Sequence, residues 1–317
     1  MLHIIIMAIV PTFLIMGCGA LSTKLKNFPS DTDTALNDFV FYFAMPFLLF
    51  ISMATTPIDE ILNWHFIFVY FLAALIPFII ALLWLWRSNS PPKSIVLALG
   101  ISSPNVAYMG IPVLTTLLGG QVLIPITLAT VMFCLFMAIG VVIIEISKPD
   151  TSLLHVIRNG MLSLIKNPLI VAPVLGILVS IFHIQIPQVF AHICNVVGAT
   201  AGPCALFAIG ETLMRRKAQF EIKFLSIALL LKLILQPMLV LIILYFIPMN
   251  PFWSASTFIL TGLPTLMICY ILAQQFNAGL NEAASLILIS TLGSVVTLSI
   301  MIMLLPHLWP TLTMVSR

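Results

Sequence analysis

Ser102-Ser103-Pro104-Asn105-Val106-Ala107-Tyr108-Met109-Gly110-Ile111-Pro112 decides how the chain folds, because it sets two prolines, a glycine and an amide inside an apolar run. Pro104 and Pro112 each lack a backbone N–H. With Gly110 they loosen the helical ladder on either side of Asn105, which leaves carbonyls and amides without partners in the helix. In lipid such groups must face protein or a wet cavity. Residues 95–100 before the stretch and 113–118 after it are apolar enough to complete one membrane crossing. The stretch therefore reads as the middle of a discontinuous transmembrane helix, the kind of element at which secondary transporters hold substrate.

The rest of the chain has the composition of a membrane protein. Of its 317 residues, 61% are hydrophobic and 7% charged, and the mean hydropathy of +1.19 lies far outside the soluble range. At about 20 apolar residues per crossing, roughly ten crossings fit. Hydropathy and punctuation predict helices at about 3–21, 35–54, 64–86, 94–118 (the broken one) and 122–146. The pattern then restarts at about 169–182, 189–213, 222–247, 252–276 and 283–305. An amphipathic stretch at 153–165 reads as interfacial. Residues 1–22 lack a basic leader and are read as the first helix.

Basic residues give the orientation. Lys24, Lys26, Arg87, Lys93, Lys148, Arg158, Lys166, Arg215, Arg216, Lys217 and Lys223 fall in the loops after helices 1, 3, 5 and 7, eleven of the thirteen Lys and Arg. The loops after helices 2, 4, 6 and 8 carry none. By the positive-inside rule both termini are expected outside the cytoplasm, with Arg317 the one exception on the far side.

The two halves echo each other. Helix 2 has Asn37, then Pro46-Phe47-Leu48-Leu49-Phe50; helix 7 has Asn195, then Pro203-Cys204-Ala205-Leu206-Phe207. Pro104-Asn105 in helix 4 is matched by Pro264-Thr265 in helix 9, with Gly262 just upstream. An odd number of helices per unit turns the second copy upside down. The expected fold is an all-α polytopic membrane protein of ten transmembrane helices in two inverted five-helix repeats, residues 1–150 and 151–317, with broken helices 4 and 9 meeting at the site.

On these motifs the chain resembles the auxin efflux carrier family, which includes plant PIN-FORMED proteins and bacterial malonate and malate carriers. Pro104 to Pro112 resembles that family's P-N-x-x-x-M-G-I-P, and Gly262-Leu263-Pro264 followed by Leu272-Ala273-Gln274-Gln275-Phe276-Asn277 is similar to its helix 9. Pro203 to Gly210 and Lys232-Leu233-Ile234-Leu235-Gln236-Pro237 resemble bacterial members, and the likeness covers the whole chain. The resemblance implies a scaffold of helices 1, 2, 6 and 7 and a mobile part of helices 3–5 and 8–10. It also implies helices 4 and 9 crossing at their prolines, an anionic substrate, an elevator-like step and a homodimer. Thr265 stands where plant members often have an amide, and the loop between the halves is short, which favours a small bacterial carboxylate.

Asn105 is the leading site residue: its amide, beside freed backbone groups, holds a carboxylate without a permanent charge, although it also suits a cap on the broken helix. Pro104, Gly110, Pro264 and Thr265 shape the same crossover, where half-helix N-termini favour an anion. Lys232 lies well inside helix 8, with Gln236 one turn on. It can read a second carboxylate, serve coupling to H⁺, snorkel, or pair with Glu145 or Glu211. Asn37, Asp38 and Asn195 are candidates for the scaffold wall, with Asp38 also suited to a helix entry near the cytoplasmic surface. Glu145 and Glu211 read as interfacial partners of Lys148 and Arg215, and His183 and His192 as surface residues. The five cysteines read as small buried hydrophobes, with no metal spacing. No cofactor, nucleic-acid or enzyme motif is present. The alternatives are an intramembrane hydrolase and a sodium-coupled carrier of the bile-acid type, which wants more oxygen ligands than Ser103, Asn105 and Thr265 supply.

Overall fold

The computed structural model describes residues 2–25, 29, 31–146, 153–215 and 221–312, and among them every regular element is helical. Lys26, Lys148, Arg216, Lys217 and Arg317, used above for orientation, lie outside the described residues. The chain forms α1 (Leu2–Ser22), α2 (Thr32–Ala54), α3 (Trp64–Trp86), α4a (Pro91–Ser102), α4b (Val106–Leu118) and α5 (Leu123–Ile146). The amphipathic helix Leu153–Lys166 follows. Then come α6 (Pro168–Ile181), α7 (Gln188–Arg215), α8 (Ile222–Phe246), α9a (Pro251–Gly262), α9b (Ile268–Gln275) and α10 (Leu280–Leu308). Each lies within about a turn of its expected place.

Starts are fixed locally. The Oδ1 atoms of Asn63, Asn167 and Asn250 accept from the backbone N–H groups of Phe66, Leu169 and Trp253 at 3.0, 2.9 and 3.0 Å. Pro168 and Pro251 follow two of these caps, at a position where a missing N–H costs nothing.

Seven described helices are long and apolar enough to cross a membrane, and an eighth span arises if Gly160–Lys166 and Pro168–Ile181, bent by 64°, count as one. The halves of α4 and of α9 are each too short to cross alone.

Proline explains the local irregularities. Three π-helical turns among the described residues, Val40–Ala44, Val106–Gly110 and Leu230–Leu235, each end immediately before an X-Pro pair: Met45-Pro46, Ile111-Pro112 and Gln236-Pro237. A proline ring crowds the carbonyl four residues back and donates nothing to it; widening the preceding turn relieves both. Two of these three helices read as continuous in the sequence, so their π turns are a refinement that the structure adds.

The tightest helix pairs are α1 on α7 and α6 on α2. A Cβ added at Gly19 would sit 2.0 Å from the Phe207 carbonyl oxygen, and one at Gly210 would sit 1.8 Å from that of Met16. In the other pair a Cβ at Gly176 would sit 2.5 Å from the Phe50 carbonyl oxygen. Only glycine lets these backbones approach so closely. Phe50 and Phe207 close the two matching proline phrases of the sequence.

Among the described residues the interior is two large apolar clusters, one around Phe66, Phe258 and Leu298, the other around Leu49, Leu97 and Leu286, with a small third of Tyr270, Ala284 and Ile287. Tyr108 and Ile111 pack against both large clusters, which puts the break in α4 between them.

Candidate functional site

The two breaks meet. Pro104 and Thr265 form an antiparallel β-bridge: the Asn105 N–H donates to the Pro264 carbonyl at 2.8 Å and the Leu266 N–H to the Ser103 carbonyl at 3.1 Å. Pro104-Asn105 and Pro264-Thr265, equivalent in the sequence, cross antiparallel, which sets Pro104 opposite Thr265 and Asn105 opposite Pro264. The structure corrects the expectation that freed backbone groups stay open for a ligand. Each break supplies the other with the partners that its own helix lost. The C-terminal ends of α4a and α9a and the N-terminal ends of α4b and α9b converge there, so both signs of helix dipole meet at one place.

What remains for a ligand is side chains. Ser103 Oγ, Asn105 Oδ1 and Thr265 Oγ1 are all buried with no hydrogen-bond partner. The Thr265 N–H is taken by Ser290 Oγ of α10 at 3.1 Å. Asn105 is 3% exposed and makes no side-chain cap on α4b, so the reading of it as a helix cap does not hold. Gly110, buried, closes the π turn against Leu260 and Leu263, whose methyls would stand 3.3 Å from an added Cβ. Two hydroxyls and a carboxamide can turn donors toward a carboxylate.

A cavity of about 10 Å³ lies against the bridge, lined by Tyr70, Ser103, Pro104 and Phe136 among others, which is room for about one water. Tyr70 Oη is buried and without a partner. The roomier cavity, about 580 Å³, lies elsewhere, where α3, α5 and α9a begin; Asp59, Glu60, His65, Gln121 and Asn250 line it beside Trp64 and Trp253. Its two carboxylates make it a poor home for an anion.

Lys232 lies in the π turn of α8, fully buried. Its Nζ donates to Gln236 Oε1 at 2.7 Å, and Gln236 Nε2 donates to the Ser102 carbonyl at 2.8 Å. The lysine neither snorkels nor meets a carboxylate among the described residues, which corrects both bland readings of it. It reaches the end of α4a through one amide.

Other expected residues fall elsewhere. Asn195 is exposed on a stretch of α7 that packs chiefly on α2, and Asn37 is half-buried where α2 meets α7; the structure does not hydrogen-bond either to the crossover. Glu211 is fully buried and keeps its expected partner: Arg215 folds back on its Oε1 at 2.6 Å and also holds the Pro29 carbonyl at 3.1 Å. Lys148, the expected partner of Glu145, lies outside the described residues. His183, His192 and Asp38 are exposed. Of the cysteines, Cys134, Cys194 and Cys269 are buried, Cys204 is half-buried and Cys18 is exposed.

Sequence reasoning missed several contacts between distant segments, among them three made by polar or charged side chains near the helix ends and the crossover. Thr212 Oγ1 donates to Asp33 Oδ2 at 2.9 Å, Lys93 pairs with Glu282, and Ser290 holds the Thr265 amide. Only the charge signs of Lys93 and Glu282 offered a cue.

Comparison with known proteins agrees with this architecture. The family model described as "Membrane transport protein" matches residues 4–302. The chain is 27% identical to a protein of Rhizobium meliloti (strain 1021) named "Putative malonate transporter", over 92% of each chain. It is 25% identical to "Uncharacterized transporter YfdV" of Escherichia coli (strain K12), over 94% of this chain and 96% of that one. The chain is a membrane transporter rather than an enzyme: it belongs to the membrane transport protein family, the auxin-efflux-carrier-like group to which its broken helix pointed.

Proposed function

We propose that the protein carries small organic anions, mono- or dicarboxylates such as malonate or malate, across the inner membrane by an elevator-like alternating-access step. The observation that carries this reading is the crossover itself. It is a buried meeting of two broken helices whose uncommitted groups are two hydroxyls and a carboxamide, with no acidic side chain among its residues. Ground-state affinity for a carboxylate then comes from these donors and from the N-terminal ends of α4b and α9b.

In the same proposal α4 and α9 each count as one span, which with α6 gives ten spans in two inverted repeats, residues 1–150 and 151–317. The matched glycine contacts support it, since Gly19 on Phe207 and Gly176 on Phe50 are what an inverted pair of repeats requires. Helices α1, α2, α6 and α7 form the scaffold and α3–α5 with α8–α10 the moving part, in a homodimer with both termini outside the cytoplasm. Coupling is to H⁺. The relative named for malonate supports the substrate class.

A thermal-shift screen of the purified protein tests the substrate class, because a ligand of the folded state raises its apparent stability. Stabilisation by small carboxylates is expected. Stabilisation by neutral or cationic solutes alone would overturn the reading.

A further inference from the structure

Lys232 is built into a chain that ends at the crossover. Its Nζ carries three donors when protonated, yet its one bond among the described residues goes to a neutral amide oxygen, Gln236 Oε1. Gln236 in turn holds the carbonyl of Ser102, the last residue of α4a. With 0% exposure, an ammonium here has lost its hydration and gained no counter-ion.

The surroundings supply no charge either. The elements packed on this π turn are the two α-helical parts of α8 and α3, α4a, α9a and α10. Their titratable groups are few: Lys223, Tyr245, His65 and His307 are exposed, Lys93 and Glu282 pair with each other, and Tyr70 lines the small cavity beside Ser103. Helix α9a has none. The negative charge that would match the ammonium is therefore one that arrives with a ligand at the neighbouring crossover, where a low-dielectric interior carries the attraction.

We propose that Lys232 is the proton-binding group of the carrier. Its amine takes up one H⁺ on the Nζ lone pair when an anion enters the crossover and returns it to solvent when the anion leaves. No bond of the anion is made or broken, and one proton travels with each anion. The inference rests on the anion reading of the crossover.

The test is calorimetric titration of the full-length purified protein with malonate, at a pH where malonate stays doubly ionised, in two buffers of different ionisation enthalpy. Near one proton taken up per malonate bound is expected in the wild type, with affinity rising about tenfold for each pH unit lowered. Lys232→Met should bind more weakly with uptake near zero. Lys232→Arg, which stays charged, should bind with little dependence on pH. Malonate binding without proton uptake by the wild type overturns the assignment whatever the variants do, as does unchanged uptake in Lys232→Met. If neither malonate nor any other small carboxylate binds, the anion reading of the crossover itself falls and this assignment with it.

Discussion

Asn105 is tied to Pro264 by a backbone hydrogen bond, its N–H donating to the proline carbonyl at 2.8 Å, while its side-chain oxygen is buried and uncommitted. One residue therefore separates two roles, the main chain holding the breaks together and the side chain facing whatever enters. Replacing Asn105 by Pro removes the main-chain donor and is expected to cost about 1–3 kcal/mol of stability, the range for a buried acceptor left unsatisfied. Asn105→Ala keeps that donor, so its thermal unfolding should stay close to wild type. Equal losses in the two variants would place the structural role in the side chain instead.

The glycine contacts predict a matched pair of defects. Gly19→Ala and Gly176→Ala each drive a methyl into a carbonyl oxygen of the facing helix, Phe207 or Phe50. Each should lower stability by about 1–3 kcal/mol, read as a drop in unfolding temperature in detergent. Gly17→Ala is the internal control, because nothing lies within 4 Å of its added Cβ. That variant should be neutral or gain up to about 1 kcal/mol from helix propensity.

Pro237 sets the π turn that carries Lys232. Pro237→Ala lets α8 recover the regular α-helical register, which turns Lys232 and Gln236 away from the Ser102 carbonyl. Transport should fall about tenfold, the equivalent of one lost buried hydrogen bond at ~1.4 kcal/mol, while the protein unfolds no more easily. A variant that transports normally would show that the Gln236–Ser102 bond is incidental.

Orientation is open to single-cysteine labelling in a background freed of the five native cysteines. Gln121 and Asn250 line the large cavity and are exposed, so cysteines there should react with an impermeant reagent added outside cells. A cysteine at Arg158 should react only after the membrane is opened. The reverse pattern would invert the topology.

Most helix positions were legible because hydropathy and proline punctuation act locally: Asn250-Pro251 starts α9a and Pro104 ends α4a whatever surrounds them. The crossing register follows from the same matched pairs: Pro104-Asn105 and Pro264-Thr265, laid antiparallel, set Pro104 opposite Thr265 and Asn105 opposite Pro264. That the breaks would hydrogen-bond each other was not legible, because it depends on how closely two distant segments approach. Lys232 was visible as an ion inside a helix, whereas its link to Ser102 depends on a fold that brings residues 134 positions apart into contact. Ser290 gave no signal, since a serine in an apolar helix looks the same whether it bonds its own carbonyls or a neighbour's broken backbone.

The claim at the centre is that Asn105 and the crossed breaks hold the transported anion, and uptake of labelled malonate into proteoliposomes tests it most directly. Wild-type protein should take up malonate saturably, and Asn105→Ala, inserted and folded to the same extent, should show an affinity weaker by about five- to hundred-fold, as expected for losing a contact of about 1–3 kcal/mol. Saturable uptake by Asn105→Ala at wild-type affinity and rate would contradict the account and move the site away from the crossover.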